Sequence, residues 1–266
     1  MDNQIEAILF DMGGTLRSTV KKSKAEIQAL LRQMLDLLGA DLIEDEFASQ
    51  LASRAAAYKH WAEETLVELN ERDLWTKWML PDFPAEKVGE LAIQLNQLYR
   101  AATGTRIVFP ETHDVVLELF RRGYRLGLVS NTTSSVEVPA ALADLHVTGC
   151  FDVVILSAVV GKRKPDPAIL LEATQRMGIS PEKCAYVGDR VDRDVAAARR
   201  AGFGKAIILR DPRQRKLEKE TGAHLVPDHV ITNLTGLLEI FPHRPAPQPA
   251  TVYEASLSTI WALKNF

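Results

Sequence analysis

The sequence has little cysteine, and its cysteines indicate neither a disulfide framework nor a metal site. Two of the 266 residues are cysteine, Cys150 and Cys184, and each lies beside apolar residues. Isolated cysteines in such surroundings usually behave as small buried hydrophobic side chains of a protein in a reducing compartment. We therefore expect both thiols to be buried and free.

Long apolar runs, a basic leader and an excess of positive charge are also missing. No hydrophobic stretch approaches the ~20 residues that a membrane-spanning helix needs. Residues 1–6 are acidic rather than basic, unlike a secretion signal. The formal net charge of −3 gives no electrostatic reason to expect a nucleic-acid partner. We therefore expect a cytoplasmic protein, monomer or homodimer, with no membrane or nucleic-acid partner.

What the sequence does contain is an alternation of short strands and helices. An apolar run at 5–10 reads as the first strand and stops at Asp11. Further strands are predicted at 125–129, 152–156, 184–187, 205–209 and 230–231. Counting the strand at 5–10, a helical stretch separates each of the first four strands from the next, and a further helix follows the last strand. Strands and helices in this order are typical of βαβ units. We predict an α/β fold with a doubly wound parallel sheet.

The stretch 17–106 interrupts this alternation after the first strand. Apolar residues repeat there at three- and four-residue spacing over 25–38, 44–69 and 85–99, and β-branched runs are nearly absent. We predict an all-helical second domain at 17–106, inserted into a core formed by 1–16 and 107–241. Residues 242–266 begin with a proline-rich segment and are expected to form a tail that packs on the body or on a partner.

Polar side chains follow the predicted strands at the point where each strand ends. They are Asp11 after the first strand, Ser130 and Asn131 after the second, Lys164 after the third, and Asp189, Asp192 and Asp194 after the fourth. Each one alone could equally be a helix cap or a turn residue. Together they favour a ligand site, because ligands of doubly wound sheets bind at the carboxyl ends of the strands.

The carboxylates in this set predict a magnesium site. Several carboxylates in one crevice repel each other, so they are expected to stay ionised only with a cation between them. Carboxylate and carbonyl oxygens are ligands that suit Mg²⁺, which keeps the substrate phosphate as a further ligand.

The same residues predict covalent catalysis on a phosphorylated substrate. Mg²⁺ and Lys164 would neutralise the phosphate and let the Asp11 carboxylate attack phosphorus, forming an aspartyl-phosphate. Ser130 and the backbone N–H groups of Gly13 and Gly14 could donate hydrogen bonds to the phosphoryl oxygens.

Four ordered segments resemble the motifs of the haloacid dehalogenase superfamily of hydrolases. They are Asp11-Met12-Gly13-Gly14-Thr15-Leu16, Leu128-Val129-Ser130-Asn131, Lys164-Pro165-Asp166-Pro167 and Gly188-Asp189-Arg190-Val191-Asp192-Arg193-Asp194. The resemblance implies a Rossmann-like core whose helical insertion is a mobile cap that selects the substrate.

For the site, the resemblance implies Mg²⁺ on Asp11, the Gly13 carbonyl and Asp189, with Asp194 supporting the metal through water or by orienting Lys164. It also implies catalysis by Asp11, Lys164 and Ser130 on a small phosphorylated metabolite. The residues expected around the phosphate are Gly13, Gly14, Ser130, Asn131 and Lys164.

One position departs from the family pattern. Phosphatases of the superfamily usually carry an aspartate two residues after the nucleophile, which protonates the leaving alcohol, and this chain has Gly13 there. General acid–base catalysis typically contributes ~10²–10⁴-fold. Gly13 can therefore offer its carbonyl to the metal but no proton to the leaving group.

Three explanations of Gly13 remain open. The protein could be a phosphatase with a good leaving group, or with an acid from the insertion, for which Tyr58, Lys59, His60 and Trp61 are candidates. It could cleave a carbon–halogen bond, although dehalogenases tend to lose the fourth motif, or a phosphonate, with Lys59 forming the imine. It could also be an impaired binding protein, although the retained motif residues argue against this.

Overall fold

The main structural feature is a six-stranded parallel sheet. The structure is a computed structural model that describes residues 5–212 and 225–244. Its strands are β1 (Ala7–Phe10), β2 (Arg17–Val20), β3 (Thr105–Val108), β4 (Arg125–Ser130), β5 (Phe151–Leu156), β6 (Cys184–Gly188), β7 (Lys205–Leu209) and β8 (His229–Ile231). The sheet has the spatial order β5-β4-β1-β6-β7-β8, and β2 and β3 form a separate pair. The predicted α/β sheet is confirmed.

Helices cover both faces of this sheet. They are α5 (Thr112–Arg121), α6 (Glu137–Asp144), α7 (Ser157–Val160), α8 (Ala168–Met177), α9 (Ala196–Ala201) and α10 (Leu237–Ile240). All four residues of β1 are fully buried, with Ile8 and Phe10 in one apolar cluster and Ala7 and Leu9 in another. A parallel strand that is covered on both faces needs apolar side chains on both sides, so its sequence is a continuous apolar run. Such runs can be recognised in the sequence.

The helices between β2 and β3 form a body with its own apolar core, called here the helical insert (24–102). It comprises α1 (Lys24–Leu38), α2 (Glu44–Thr65), α3 (Glu71–Leu74), a π-helical turn (Trp75–Met79) and α4 (Ala85–Ala102). Trp75, Met34 and Leu95 are fully buried in its core. The second helix ends earlier than predicted, at Thr65, because Leu66 takes a left-handed conformation with φ of 58°.

The short pair β2–β3 corrects the prediction that 17–106 is all helical. Its strands are antiparallel, with Arg17 opposite Val108 and Val20 opposite Thr105. Each strand is four residues long, too short to interrupt the helical periodicity of the long segment between them. The consequence is that the chain enters and leaves the helical insert side by side, through one ribbon.

Three smaller expectations can be compared with the structure. Cys150 and Cys184 are buried and free. Of the predicted tail 242–266, residues 245–266 lie outside the described part of the chain. Among the helices of 5–212 and 225–244, none combines the length and the apolar character that crossing a membrane requires.

Candidate active site

The loop that carries Asp11 is a tight turn at the carboxyl end of β1. The backbone N–H of Asp11 donates to the Val187 carbonyl at 2.8 Å, which continues the sheet up to the site. Gly14 has φ of 86°, a left-handed conformation that favours glycine. Its N–H donates to the Arg17 carbonyl at 2.7 Å as the turn closes. The Gly14 N–H is therefore engaged within the turn, and its expected contact with a phosphate stays a prediction.

Gly13 is exposed and has open space beside it. A Cβ built on Gly13 would meet no heavy atom within 4 Å, and its φ is not in the left-handed region. The missing acid at this position is therefore not imposed by crowding, and the loop could carry a longer side chain.

Lys164 is fully buried at the centre of the site. Its Nζ lies 2.8 Å from Asp11 Oδ1 and 2.8 Å from Asp194 Oδ1. It also donates to the Val129 carbonyl at 3.0 Å and to the Tyr186 hydroxyl at 2.5 Å. Tyr186 was not expected from the sequence, where it looks like any aromatic residue of a buried strand. A buried ammonium needs such partners, since desolvation of an unpaired charge is very costly.

Asn131 fixes the backbone of Lys164. Its Oδ1 accepts from the Lys164 N–H, and its Nδ2 donates to the Lys164 carbonyl, both at 2.8 Å. Both ends of the amide thus position the Lys164 backbone, and the expected contact between this side chain and a phosphate stays a prediction. Ser130, the last residue of β4, is buried beside Val129, the carbonyl partner of Lys164.

The structure brings together three of the four predicted aspartates that follow strands. Asp11, Asp189 and Asp194 each place a carboxylate oxygen within 4.8 Å of the others. Asp194 Oδ2 also accepts from the backbone N–H of Asp189 at 3.2 Å. Gly188 is needed for this approach, because a Cβ there would lie 2.5 Å from Asp194. Asp192 pairs with the side chain of Arg190 instead.

A cation of the chain itself lies among these carboxylates. Arg193 Nη2 is 3.1 Å from Asp11 Oδ2, 3.1 Å from Asp189 Oδ1 and 3.2 Å from Asp194 Oδ2. Burial alone would raise the pKa of Asp194, but the charges of Arg193 and Lys164 lower it to about 2. The cation expected between these carboxylates is thus supplied in this structure by the Arg193 side chain, and the expected Mg²⁺ stays a prediction.

Sequence reasoning missed Arg193, although one signal was available. The residue stands four positions after Asp189, the spacing at which helical side chains meet. A π-helical turn (Val191–Val195) precedes α9 where a plain helix was predicted, and such turns are frequent at functional sites.

The carboxylates fit the chemistry of the metal that the fold family implies. Asp11, from the loop after β1, and Asp189 and Asp194, from the segment after β6, are hard oxygen donors of the kind that Mg²⁺ prefers. The donor set is thus suitable, and the same oxygens are contacted by Arg193.

A cavity of about 230 Å³ lies between the helical insert and the sheet core. Its lining includes Tyr58, Lys59, Glu68 and Arg100 from the insert, and Asn131, Thr132 and Arg163 from the core. Of the other two acid candidates, His60 lies on an exposed face 3.3 Å from Glu64, and Trp61 packs on Tyr58 and Trp78.

Glu68, which the sequence did not single out, is a buried carboxyl between the insert and the core. It accepts hydrogen bonds from the Tyr58 hydroxyl at 2.5 Å and from Ser157 Oγ at 3.0 Å. The Tyr58 hydroxyl contacts Oε1 and Ser157 Oγ contacts Oε2. Arg163 Nη1 also lies 3.3 Å from Oε2. Burial raises the pKa of Glu68 above its ordinary value. The insert is thus joined to the core directly beside Lys164.

A second charged contact lies at the β2–β3 ribbon. Glu137, the first residue of α6, faces three arginines. Arg17 Nη2 is 2.7 Å and Arg106 Nε is 3.2 Å from Glu137 Oε1, and Arg100 pairs with Oε2. Glu137 therefore ties the ribbon and the end of α4 to the core.

Comparison with known proteins identifies relatives that cover most of this chain. A sequence model of the haloacid dehalogenase-like hydrolases matches residues 5–202. A glyceraldehyde 3-phosphate phosphatase of Methanopyrus kandleri is 27% identical over 242 residues, covering 89% of this chain and 97% of that protein. A phosphoglycolate phosphatase of Nitrosococcus oceani is 30% identical over 206 residues, covering 76% of this chain and 83% of that protein.

Solved structures show the same fold. A 2-haloacid dehalogenase from Pseudomonas syringae pv. Tomato DC3000 has a TM-score of 0.59 at 25% identity, covering 89% of this chain and 98% of that one. A HAD phosphatase from Thermococcus onnurineus has a TM-score of 0.57 at 24% identity, covering 90% and 99%. Because the family match spans most of the chain and includes every residue of the carboxylate site, this protein belongs to the haloacid dehalogenase-like hydrolases.

Proposed function

We propose that the protein is a Mg²⁺-dependent phosphatase of a small phosphorylated metabolite, with Asp11 as the covalent nucleophile. The observation that carries this proposal is the position of the Asp11 carboxylate. It stands at the carboxyl end of β1, with Oδ1 2.8 Å from the Lys164 ammonium and one of its oxygens within 4.8 Å of oxygens of Asp189 and Asp194. Two curated relatives that cover most of this chain are phosphatases, which supports the same reaction class.

In the first step, a carboxylate oxygen of Asp11 attacks phosphorus, and the bond from phosphorus to the leaving oxygen breaks. Lys164, held by Asn131 and Tyr186, provides positive charge beside the attacking carboxylate. Ser130 is proposed to donate to a phosphoryl oxygen as negative charge develops there. Mg²⁺ on Asp11, the Gly13 carbonyl and Asp189, with Asp194 in support, would supply further positive charge for the phosphoryl group.

In the second step, water attacks phosphorus, the bond to Asp11 breaks, and inorganic phosphate leaves with the carboxylate restored. Both steps move a proton, onto the leaving oxygen and then off the water. Gly13 has no group for either transfer, so substrates with a good leaving group should react fastest.

The cavity between insert and core supports a small anionic substrate. A volume of about 230 Å³ suits a metabolite of few carbons. The lining contains three basic side chains, Lys59, Arg100 and Arg163, and one carboxyl, Glu68, which pairs with Arg163. The names of the relatives suggest two first compounds to test, glyceraldehyde 3-phosphate and phosphoglycolate. We further propose that the helical insert is the cap that selects among such compounds.

The proposal is tested by turnover of p-nitrophenyl phosphate, whose leaving group needs little protonation. We expect hydrolysis with Mg²⁺, and none above background in Asp11→Asn, which keeps the size of the side chain. Asp192→Asn is the matched control, because Asp192 pairs with Arg190 outside the cluster. A wild type inactive on this ester and on a broad panel of phosphorylated metabolites would favour a binding protein instead.

A second candidate is hydrolysis of a carbon–halogen bond, and Arg193 is the observation that favours it. With Arg193 and Lys164 present, the carboxylates are largely neutralised by the chain itself. Such a reaction needs an ionised Asp11 but neither a metal nor the acid absent at Gly13. Chloride release from 2-chloropropionate in the presence of EDTA would establish this activity. A phosphonate substrate is tested separately, by borohydride trapping of an imine on Lys59.

A further inference from the structure

We propose that Arg193 is a resident cation of the carboxylate site and that Mg²⁺ binds only when the guanidinium leaves. The protein would then have two states, one neutralised by Arg193 and one neutralised by metal. This inference rests on the proposed function, because it concerns how the same site acquires Mg²⁺.

The geometry makes the two cations mutually exclusive. One nitrogen, Nη2 of Arg193, contacts an oxygen of each of the three carboxylates at 3.1 to 3.2 Å. The same three side chains form the group that could hold a metal ion. Mg²⁺ requires oxygens at ~2.0–2.1 Å in octahedral arrangement. A guanidinium nitrogen at hydrogen-bond distance from all three leaves no room for the ion between them.

Charge explains why the exchange can be balanced. With Lys164 and Arg193 in place, the three carboxylates retain one net negative charge. Exchanging Arg193 for Mg²⁺ neutralises that charge, but it also breaks three charge-assisted contacts of a largely buried guanidinium. The affinity for Mg²⁺ is therefore set by the difference between two free energies, that of Mg²⁺ binding to the carboxylates and that of the Arg193 contacts it replaces.

The position of Arg193 also allows its guanidinium to move from the carboxylates toward solvent. Its side chain is 21% exposed, whereas those of Asp11, Asp189 and Asp194 are at most 3% exposed. It is carried by the π-helical turn (Val191–Val195) and not by the sheet. A change of side-chain rotamer can thus move the guanidinium toward solvent without any movement of the backbone that carries Asp11, Asp189 and Asp194.

The test is Mg²⁺ binding by isothermal titration calorimetry, on the full-length wild type and on Arg193→Gln. The variant keeps a polar side chain without the charge. We expect it to bind Mg²⁺ roughly tenfold or more tightly, since buried charge pairs commonly contribute that much or more to such equilibria. In EDTA, the thermal midpoint of the variant should fall below that of the wild type. Saturating Mg²⁺ should raise the midpoint of the variant by more than it raises the midpoint of the wild type.

Arg190→Gln is the matched control, because Arg190 belongs to the same loop and pairs with Asp192. It should titrate like the wild type. Arg193→Lys, which keeps the charge with a shorter reach, should give an intermediate affinity and serves if Arg193→Gln does not fold. Arg193→Gln and Arg193→Lys that both bind Mg²⁺ with wild-type affinity would overturn the inference.

The outcome also separates this inference from the proposed function. Equal affinities together with Mg²⁺-dependent hydrolysis of p-nitrophenyl phosphate leave the phosphatase proposal standing and reject the exchange. Absence of Mg²⁺ binding in the wild type and in both Arg193 variants, together with absence of turnover, rejects the Mg²⁺-dependent phosphatase and the exchange with it.

Discussion

Lys164 Nζ and Asp11 Oδ1 lie 2.8 Å apart, although 153 residues separate them in the chain. The ammonium is completely buried, and the same nitrogen contacts Asp194. The fold thus places one fixed positive charge between the proposed nucleophile and the carboxylate that orders the fourth motif. Because so many charges share a small volume, single substitutions here should affect stability as well as activity.

Lys164→Met tests this double role. Removing one partner of a buried ion pair typically costs ~3–5 kcal/mol, because the remaining charge is left uncompensated. We expect a loss of that size in the free energy of unfolding by urea, and no measurable turnover of p-nitrophenyl phosphate. Lys162→Met, at an exposed position nearby, should change neither quantity. A stable Lys164→Met protein would show that the buried pair is not needed for folding.

Gly13→Asp tests whether a missing acid limits the reaction. The open space beside Gly13 admits the longer side chain, so a folded variant is expected. Alkyl phosphates should gain up to ~10²–10⁴-fold in kcat/KM, and p-nitrophenyl phosphate much less, because its leaving group needs little protonation. Gly13→Asn is the control of equal size without an acid. Equal gains on both substrates, or none on either, contradict this account.

Glu137→Gln tests the contact at the ribbon. Glu137 is about one-fifth exposed and faces Arg17, Arg100 and Arg106, which would be left without their shared carboxylate. Hydrogen bonds to charged groups contribute ~1.5–3 kcal/mol, so we expect a loss near the lower end of that range in chemical denaturation. Asp144→Asn, at an exposed site of the same helix, is the control. A variant as stable as this control would contradict a tie between ribbon and core.

Glu68→Gln tests the buried carboxyl at the junction of insert and core. Burial raises the pKa of Glu68 above its ordinary 4.5, so the folded state binds a proton more tightly than the unfolded state. The contribution of this proton to stability is complete below pH 4.5 and is lost as the pH rises through the folded-state pKa. Thermal midpoints measured at intervals from pH 4 to neutrality should therefore show the wild type losing stability relative to Glu68→Gln.

Glu64→Gln, at an exposed position of the same helical insert, should follow the wild type at each pH. A difference between wild type and Glu68→Gln that is constant with pH would mean that the carboxyl does not change its protonation there. A difference of opposite sign would mean that Arg163 outweighs burial and lowers the pKa of Glu68.

The sequence was sufficient to predict the sheet and most of the carboxylate site. The strand Lys205–Leu209, for example, has the predicted ends, because buried parallel strands consist of apolar residues that stop where the chain becomes polar. Asp11, Lys164, Asp189 and Asp194 were found for a related reason. Each follows a strand, and parallel strands deliver their carboxyl ends to the same edge.

Contacts that depend on a side chain reaching across the fold could not be predicted in this way. Arg193 contacts Asp11 because the π-helical turn directs its side chain toward the end of β1. No local residue pattern predicts that contact. Glu68 is a single charged residue between Val67 and Leu69, and its burial follows from the contact of the helical insert with the core. In the same way, the amide of Asn131 forms hydrogen bonds with the backbone of Lys164, a partner 33 residues away.

Both chain connections of the helical insert to the core pass through the ribbon β2–β3. Val20 and Thr105 already face each other as paired strand residues, so a short turn could replace everything between them without displacing β1 or the Asp11 loop. Chain segments whose ends lie close together are the ones that proteins tolerate losing, gaining or exchanging. Helical inserts from other family members could therefore be grafted onto this ribbon, and substrate range could change while the catalytic strands keep their sequence.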